Sequence, residues 1–370
     1  MISRRAAVAA GCAVLLASGG LYYGLSRPND TAPVDARSAQ RAAIDAVPKG
    51  ATLVVTVDLA ALRAAPLAAP YLAGDRTIEG LGRIRDACGF DPLALVGDLV
   101  IAVPEAYDAD FGIAATGTFG DGPVVDCATR VIAARGGKPV TSSIGSFRAV
   151  RDLDAPTTGE IAVRPGGPLL FGGGGYLRAM VDALDGTLPA LGPDDTHRTL
   201  RAKLAEHETI QATLVLSKKQ RDVIAEELGA AGGAAPPAIG TIAAAALGVS
   251  LAGERAKVRL VVRCDDPAGA AQIVALIDEA SKDAAKSAQA AVLGAESLLR
   301  RMTVASEGAE VVVSVDAGVE EIETIVDRAM AVRALLDGQR APAPSPSAPP
   351  EPSAAPSASA SAGAPQKTPK

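Results

Sequence analysis

The clearest hydrophobic pattern lies at Lys257-Val258-Arg259-Leu260-Val261-Val262-Arg263. In an extended chain Val258, Leu260 and Val262 face one way, and Lys257, Arg259 and Arg263 the other. The same alternation recurs downstream, where Val311, Val313 and Val315 oppose Glu310, Ser314 and Asp316. One apolar and one polar face is the pattern of an antiparallel sheet covered by helices on one side. At Leu53, Val55 and Val57 the period of two predicts a first strand over 51–58. Short strands follow near 98–103, 110–119, 147–150, 160–164 and 169–171. Further strands are predicted at 210–217, 241–251, 257–263, 301–305 and 310–315.

Helical spacing separates these strands. Val124, Cys127, Ala128 and Val131 form a stripe behind Asp121-Gly122-Pro123, and Gly136-Gly137 ends it. Asp265-Asp266-Pro267 opens a second such helix: aspartate accepts free amide hydrogens at a helix start and proline suits the first turn. Asp194-Asp195-Thr196 caps another, running to about Glu206. In the last helix Val319, Ile322, Val326 and Ala329 share a face, which predicts a cover for the preceding sheet.

The order repeats. Ala212-Thr213-Leu214-Val215 matches Ala51-Thr52-Leu53-Val54 letter for letter, and each stretch is followed by a helix, a hairpin, a helix opening on Asp-x-Pro, and a second hairpin and helix. This predicts an α+β fold of antiparallel sheets covered by helices on one face, in two similar halves at 50–190 and 191–338.

Both ends fall outside that plan. Met1 to Arg5 is basic, and Ala6 to Leu25 carries no charge before Arg27-Pro28. About 20 such residues form a helix long enough for the bilayer hydrocarbon core, and arginines on the short side keep that end in the cytoplasm. The expected segment 1–27 is therefore an N-terminal transmembrane helix, which makes the membrane a partner through residues 6–25 and puts the body in the periplasm or outside the cell. Two other fates lead to the same side of the membrane. One is a signal peptide cleaved near Ala17-Ser18-Gly19, and the other is a lipoprotein acylated at Cys12, although only Ala6 to Ala10 would then serve as its apolar region. Residues 28–49 read as a linker. Residues 339–370, rich in Pro, Ala and Ser, cannot bury enough surface to fold, and predict a disordered tail.

Composition narrows the function. Aromatic residues make up 3% of the chain, tryptophan is absent and the net charge is −6. Neither stacking platforms for bases nor attraction to a phosphate backbone is provided, so nucleic acid is excluded as a partner. Cys88, Cys127 and Cys264 contain no Cys-x-x-Cys pair. A Cys88–Cys127 bridge is open, and so is the plain alternative of buried thiols.

No catalytic, cofactor-binding or metal-binding residue is assigned. His197 and His207 are the only histidines, and neither has a second at i+3 or i+4 to make a metal pair. His197 follows Asp194-Asp195 and is the one candidate for a carboxylate-oriented base, but a solvated residue in a helix's first turn explains it as well. Gly172 to Gly175 join a strand to a helix without the third glycine or the lysine of a phosphate loop. Asp108-Ala109-Asp110-Phe111-Gly112 lacks the spacing of a calcium loop.

In overall plan, with an apolar start, a duplicated α+β body and a Pro/Ala/Ser tail, the chain resembles uncharacterised exported, membrane-anchored proteins of GC-rich bacteria. The resemblance implies no functional residues. The expected function is a tethered, extracytoplasmic envelope protein without catalysis or cofactor, binding envelope proteins or the cell wall. A carrier or sensor of an apolar ligand, and a hydrolase with an unrecognised site, are the alternatives.

Overall fold

The computed structural model describes residues 43–68, 77–78, 82–105, 111–155, 159–204, 208–230 and 237–340. The first half contains β1 (Ala51–Asp58), α1 (Leu59–Ala64), β2 (Thr77–Ile78), β3 (Gly82–Arg83), α2 (Ile84–Cys88), α3 (Pro92–Leu95), β4 (Val96–Pro104) and β5 (Gly112–Gly117). It continues with α4 (Asp121–Ala134), β6 (Pro139–Ile144), β7 (Phe147–Asp152), β8 (Glu160–Val163), β9 (Leu169–Gly172) and α5 (Gly174–Leu184). After α6 (Thr196–Arg201), the second half contains β10 (Ile210–Val215), α7 (Lys218–Ala230), β11 (Ile242–Ala252), β12 (Arg255–Cys264) and α8 (Pro267–Ala285). It closes with α9 (Ala288–Leu293), α10 (Glu296–Arg301), β13 (Thr303–Glu307), β14 (Glu310–Gly318) and α11 (Val319–Arg340).

The predicted sheets are in fact one. Twelve strands run in the order β13-β14-β12-β11-β10-β1-β4-β5-β9-β8-β7-β6, with every pairing antiparallel. Outward from the centre, the first half reads β1-β4-β5-β9-β8 and the second β10-β11-β12-β14-β13; the hairpin β6-β7 extends the first. Two separate sheets fail as a description because β1 and β10, the opening strands of the halves, pair with each other from Leu53↔Leu214 to Val57↔Ile210. Periodicity tells which face a side chain takes and nothing about which strand lies alongside. The hairpin β11-β12 turns at Gly253 and β13-β14 at Gly308, with φ of 57° and 59°. Glycine adopts that left-handed backbone without a Cβ clash.

Helices cover both faces, not one. On one face, α5 lays Tyr176, Leu177, Met180 and Val181 over Val100, Ala102, Ala114, Phe147, Ala149, Ala162 and Leu170. Each large apolar side chain buried this way contributes roughly 1.5–3 kcal/mol. Against the second half of that α5 face, Leu200 and Leu204 pack on Ala244, Ala246 and Val261. The opposite face receives α1 with Leu59 and Leu62, α4 with Val124, Val125 and Ala128, and α8 with Ala270 and Ile273. In α4, Val124 and Ala128 of the expected stripe are buried together with Val125, Val131 is only half-buried, and Cys127 is used for a disulfide to Cys88 in α2. Arg130 of α4 also donates to the Cys88 carbonyl at 2.7 Å, so α2 and α4 are joined twice.

Three further expectations change. The chain enters the core before Gly50: Ala43, Ala46 and Val47 are fully buried in the α5-face core, and Pro48 bridges Ala190. They lie in the stretch that reads as a linker, because alanine carries little hydrophobic signal. The last helix does not supply the predicted cover, since none of its described side chains is buried; α8 covers those strands instead. No helix among the described residues is long and apolar enough to cross a membrane. The spanning helix expected at 6–25, Cys12, the calcium-like segment at 108–110, His207 and the tail from 341 lie outside the described residues.

Candidate functional site

The polar residues that depart most from the core's chemistry gather on the α5 face of the central strands. By register, Thr56 of β1 lies between Val100 of β4 and Gln211 of β10, and Gln211 lies beside Gly248 of β11. Two residue pairs further along, Asp58 lies beside Asp98, and Asp98 beside Thr116 of β5. Side chains two apart on a strand share a face. Thr56, Gln211, Asp98 and Thr116 therefore share the face that carries α5 and α6.

This patch is buried although it is polar. Thr56 is 2% exposed and Asp98 3%. Thr116 donates to the Asp98 carboxylate at a long 3.4 Å. Burial, then the nearby charge of Asp58, raises the Asp98 pKa to about 6, and the Thr116 hydrogen bond only partly offsets this. Asp58 itself caps α1, accepting from the Ala61 amide at 2.7 Å. The hydroxyl of Thr56 and the side-chain oxygen of Gln211 are buried without a hydrogen-bond partner. Glu208, also buried, sits over Gly248, where a Cβ would come within 2.8 Å of its carboxyl carbon.

On the same face, the short helix α6 packs on β10 and β11. Asp195 caps it, accepting from the His197 amide at 2.9 Å. His197, the one sequence candidate for a base, is 2% exposed and tied at both ring nitrogens. Nε2 lies 2.8 Å from the Ala51 carbonyl and Nδ1 2.8 Å from the Thr213 hydroxyl. A carbonyl only accepts, so Nε2 carries the hydrogen and Nδ1 accepts from Thr213. Burial lowers the His197 pKa and the ring is neutral. With neither nitrogen facing solvent, His197 is a clasp from α6 to β1 and β10 rather than a general base. Lys203 and Arg263 both pair with Glu310 and hold the far end of α6 to the second half.

Arg201 is the residue the sequence did not single out. It lies one turn, about 5.4 Å, beyond His197 on the inner side of α6. Its Nη1 is buried with no hydrogen-bond partner. Burial, then repulsion from Arg198, lowers its pKa to about 10. Arg198 is itself satisfied by Asp45 at 2.7 Å and the Leu191 carbonyl at 2.8 Å. In Thr196-His197-Arg198-Thr199-Leu200-Arg201 an arginine looks like solvated helix surface. The available signal is its i+4 spacing from His197, next to Leu200 on the core side.

Among the described residues no group of three or more His, Cys, Asp or Glu is placed to hold a metal ion. Gly172 to Gly175 lead from β9 into α5, and Gly172 is needed for close approach: a Cβ there would lie 2.8 Å from the Phe111 carbonyl oxygen.

No family model matches the chain, and no curated protein matches it in sequence. Structures of TP0453 in crystal forms III, I and IV align with TM-scores of 0.44, 0.42 and 0.46 at 12%, 12% and 11% identity. They cover 80%, 77% and 79% of this chain and 99%, 96% and 98% of theirs. Likeness at this level transfers no function.

Proposed function

We propose that the chain is an exported, extracytoplasmic protein of the cell envelope that binds a partner or ligand and carries out no catalysis. The Cys88–Cys127 disulfide carries the location. Such bonds persist in oxidising compartments and are rare where glutathione keeps thiols reduced. Support for a non-catalytic role comes from His197, whose two ring nitrogens are both engaged within the core. A base needs a free nitrogen within reach of a substrate proton. The buried polar patch of Thr56, Asp98, Thr116 and Gln211 is where binding would be centred.

The test is thiol trapping in producing cells, with alkylation before lysis and fractionation in parallel. Cys88 and Cys127 should escape alkylation until a reductant is added, and the protein should fractionate with the envelope. Free thiols at both positions in a cytosolic fraction would sink the proposal.

A further inference from the structure

We infer that the face of the central strands opposite α5 and α6 binds the alkyl chain of a long-chain fatty acid. On this face Leu53 of β1 lies beside Leu214 of β10. Two residues further along the strands, Ile113, Ile101, Val55, Ala212 and Leu247 form a row from β5 to β11. Every one of these side chains is only half-buried. On the other face of the same strands the alternate residues Val54, Ala102, Thr213 and Ala246 are buried. A sheet face that meets water ordinarily carries polar side chains, and contiguous exposed apolar surface marks a binding site. Here both rows are apolar throughout.

Three helices frame the rows. The α4 core lies over β7, β8 and β9, the α8 core over β12 and β14, and α1 sits across Val57 and Leu99. No residue of the two rows belongs to those cores. At about 4.8 Å per strand the longer row extends about 19 Å, and at about 3.4 Å per residue the rows are about 7 Å apart. That is narrower than a helix with its side chains, about 10 Å across, and suits one extended alkyl chain. Strands β4, β1, β10 and β11 are each paired on both flanks, so their backbone offers no hydrogen bond to a peptide laid over them. A hydrocarbon chain needs none. Ala212 is the one small side chain of the two rows and makes a notch between Val55 and Leu247, where the chain crosses β10. The rim suits an anionic head. Lys218 and Lys219 are exposed at the start of α7, and Gln220 beside them donates to the hydroxyl of Thr52, the neighbour of Leu53, at 3.1 Å.

This surface is distinct from the buried polar patch, which lies on the other face of the same strands, and its test is independent of location. Full-length protein is titrated with the fluorescent fatty acid cis-parinaric acid, and the bound probe is displaced with palmitate or hexanoate. The apolar segment 6–25 is itself able to take up fatty acid, so binding is compared with variants that leave it unchanged. Ala212→Phe fills the notch with a side chain that favours strands, and Leu247→Asp puts a charge in the longer row. Val292→Asp, at a position 57% exposed on α9, is the control. Saturable single-site binding is expected, displaced by palmitate and not by hexanoate. Ala212→Phe and Leu247→Asp should each weaken it by about tenfold or more, and Val292→Asp should leave it unchanged. Urea midpoints confirm that the variants are folded. Absence of saturable binding, equal displacement by hexanoate, or wild-type affinity in folded Ala212→Phe would overturn the assignment. So would a dimer in sedimentation that Leu247→Asp splits, because the face would then belong to a second copy. Thiol trapping that fails while palmitate binds would remove only the extracytoplasmic location, and the reverse result would remove only the fatty-acid site.

Discussion

Leu53 of β1 lies directly opposite Leu214 of β10, and each is the third residue of the repeated Ala-Thr-Leu-Val. Matching positions of the two halves thus meet at the middle of the sheet. Moving outward from this pair, β1 meets β4 and β10 meets β11, and the following strands take the same order on either side. Directly opposed side chains in an antiparallel pair interact by roughly 0.2–1 kcal/mol. A double-mutant cycle of Leu53→Ala and Leu214→Ala, read by urea unfolding, should give a favourable coupling in that range. Strict additivity would mean that the central pairing is held by backbone alone.

Replacing His197 by alanine should cost about 2–4 kcal/mol. It removes a buried ring and leaves the Ala51 carbonyl without its donor, and a buried group stripped of its partner costs roughly 1–3 kcal/mol by itself. The pH dependence has a definite sign. Burial lowers the folded-state pKa below the usual value of about 6.5, so the unfolded chain takes up a proton that the folded chain resists. The contribution is fully present above that value and is lost as the pH falls below it. Unfolding measured from pH 8 to 5 should show this loss in the wild type, and His197→Gln should lack it.

Asp98 behaves in the opposite sense. Its folded pKa of about 6 lies above the ordinary aspartate value of 3.8. Stability from this group is therefore complete below the unfolded value and declines as the pH rises through about 6. Asp98→Asn keeps an acceptor for Thr116 and removes the charge. It should match the wild type near pH 4 and exceed it by about 1–3 kcal/mol at pH 8, as read by denaturant midpoints. A variant less stable than the wild type at pH 8 would mean that the ionised carboxylate has a partner.

The disulfide should matter to stability as well as to location. Cys88 and Cys127 are 39 residues apart, a loop whose closure contributes about 3–4 kcal/mol in the chain-entropy picture. Cys88→Ala combined with Cys127→Ala should lower unfolding stability by about 2–4 kcal/mol. Dithiothreitol should do the same to the wild type and nothing further to the double variant. Cys264, a free and buried thiol, should remain unreactive until unfolding.

Much of the strand content was legible because residues such as Lys257 to Leu260 alternate, and Asp266 before Pro267 announces a capped helix; Val261, on the face of Lys257 and Arg259, is already a sign that this face is covered too. The Asp266 side chain does accept from the Gly269 amide at 2.7 Å. The pairing of β1 with β10 was not legible, because a period of two is satisfied by any neighbour. Cover on both faces was hidden by alanine. In β11, Ala244 and Ala246 meet Leu200 on one side, and Ala245 belongs to the core around α8 on the other, so the run shows no alternation at all. Arg201 and Thr56 escaped notice for the converse reason. A polar letter at an inward position looks like surface until the fold shows what surrounds it.

The continuous sheet has a consequence for biogenesis. As the polypeptide emerges, β1 can bond to β4 on one flank, but its other flank has no neighbour until β10, some 150 residues later, has been made. During that interval an exposed strand edge, bordered by the Leu53 site that in the finished molecule meets its own counterpart, is open to another nascent copy. Slow or stalled synthesis should therefore produce half-length species that join through β1, and a holding chaperone would be needed until the second half arrives.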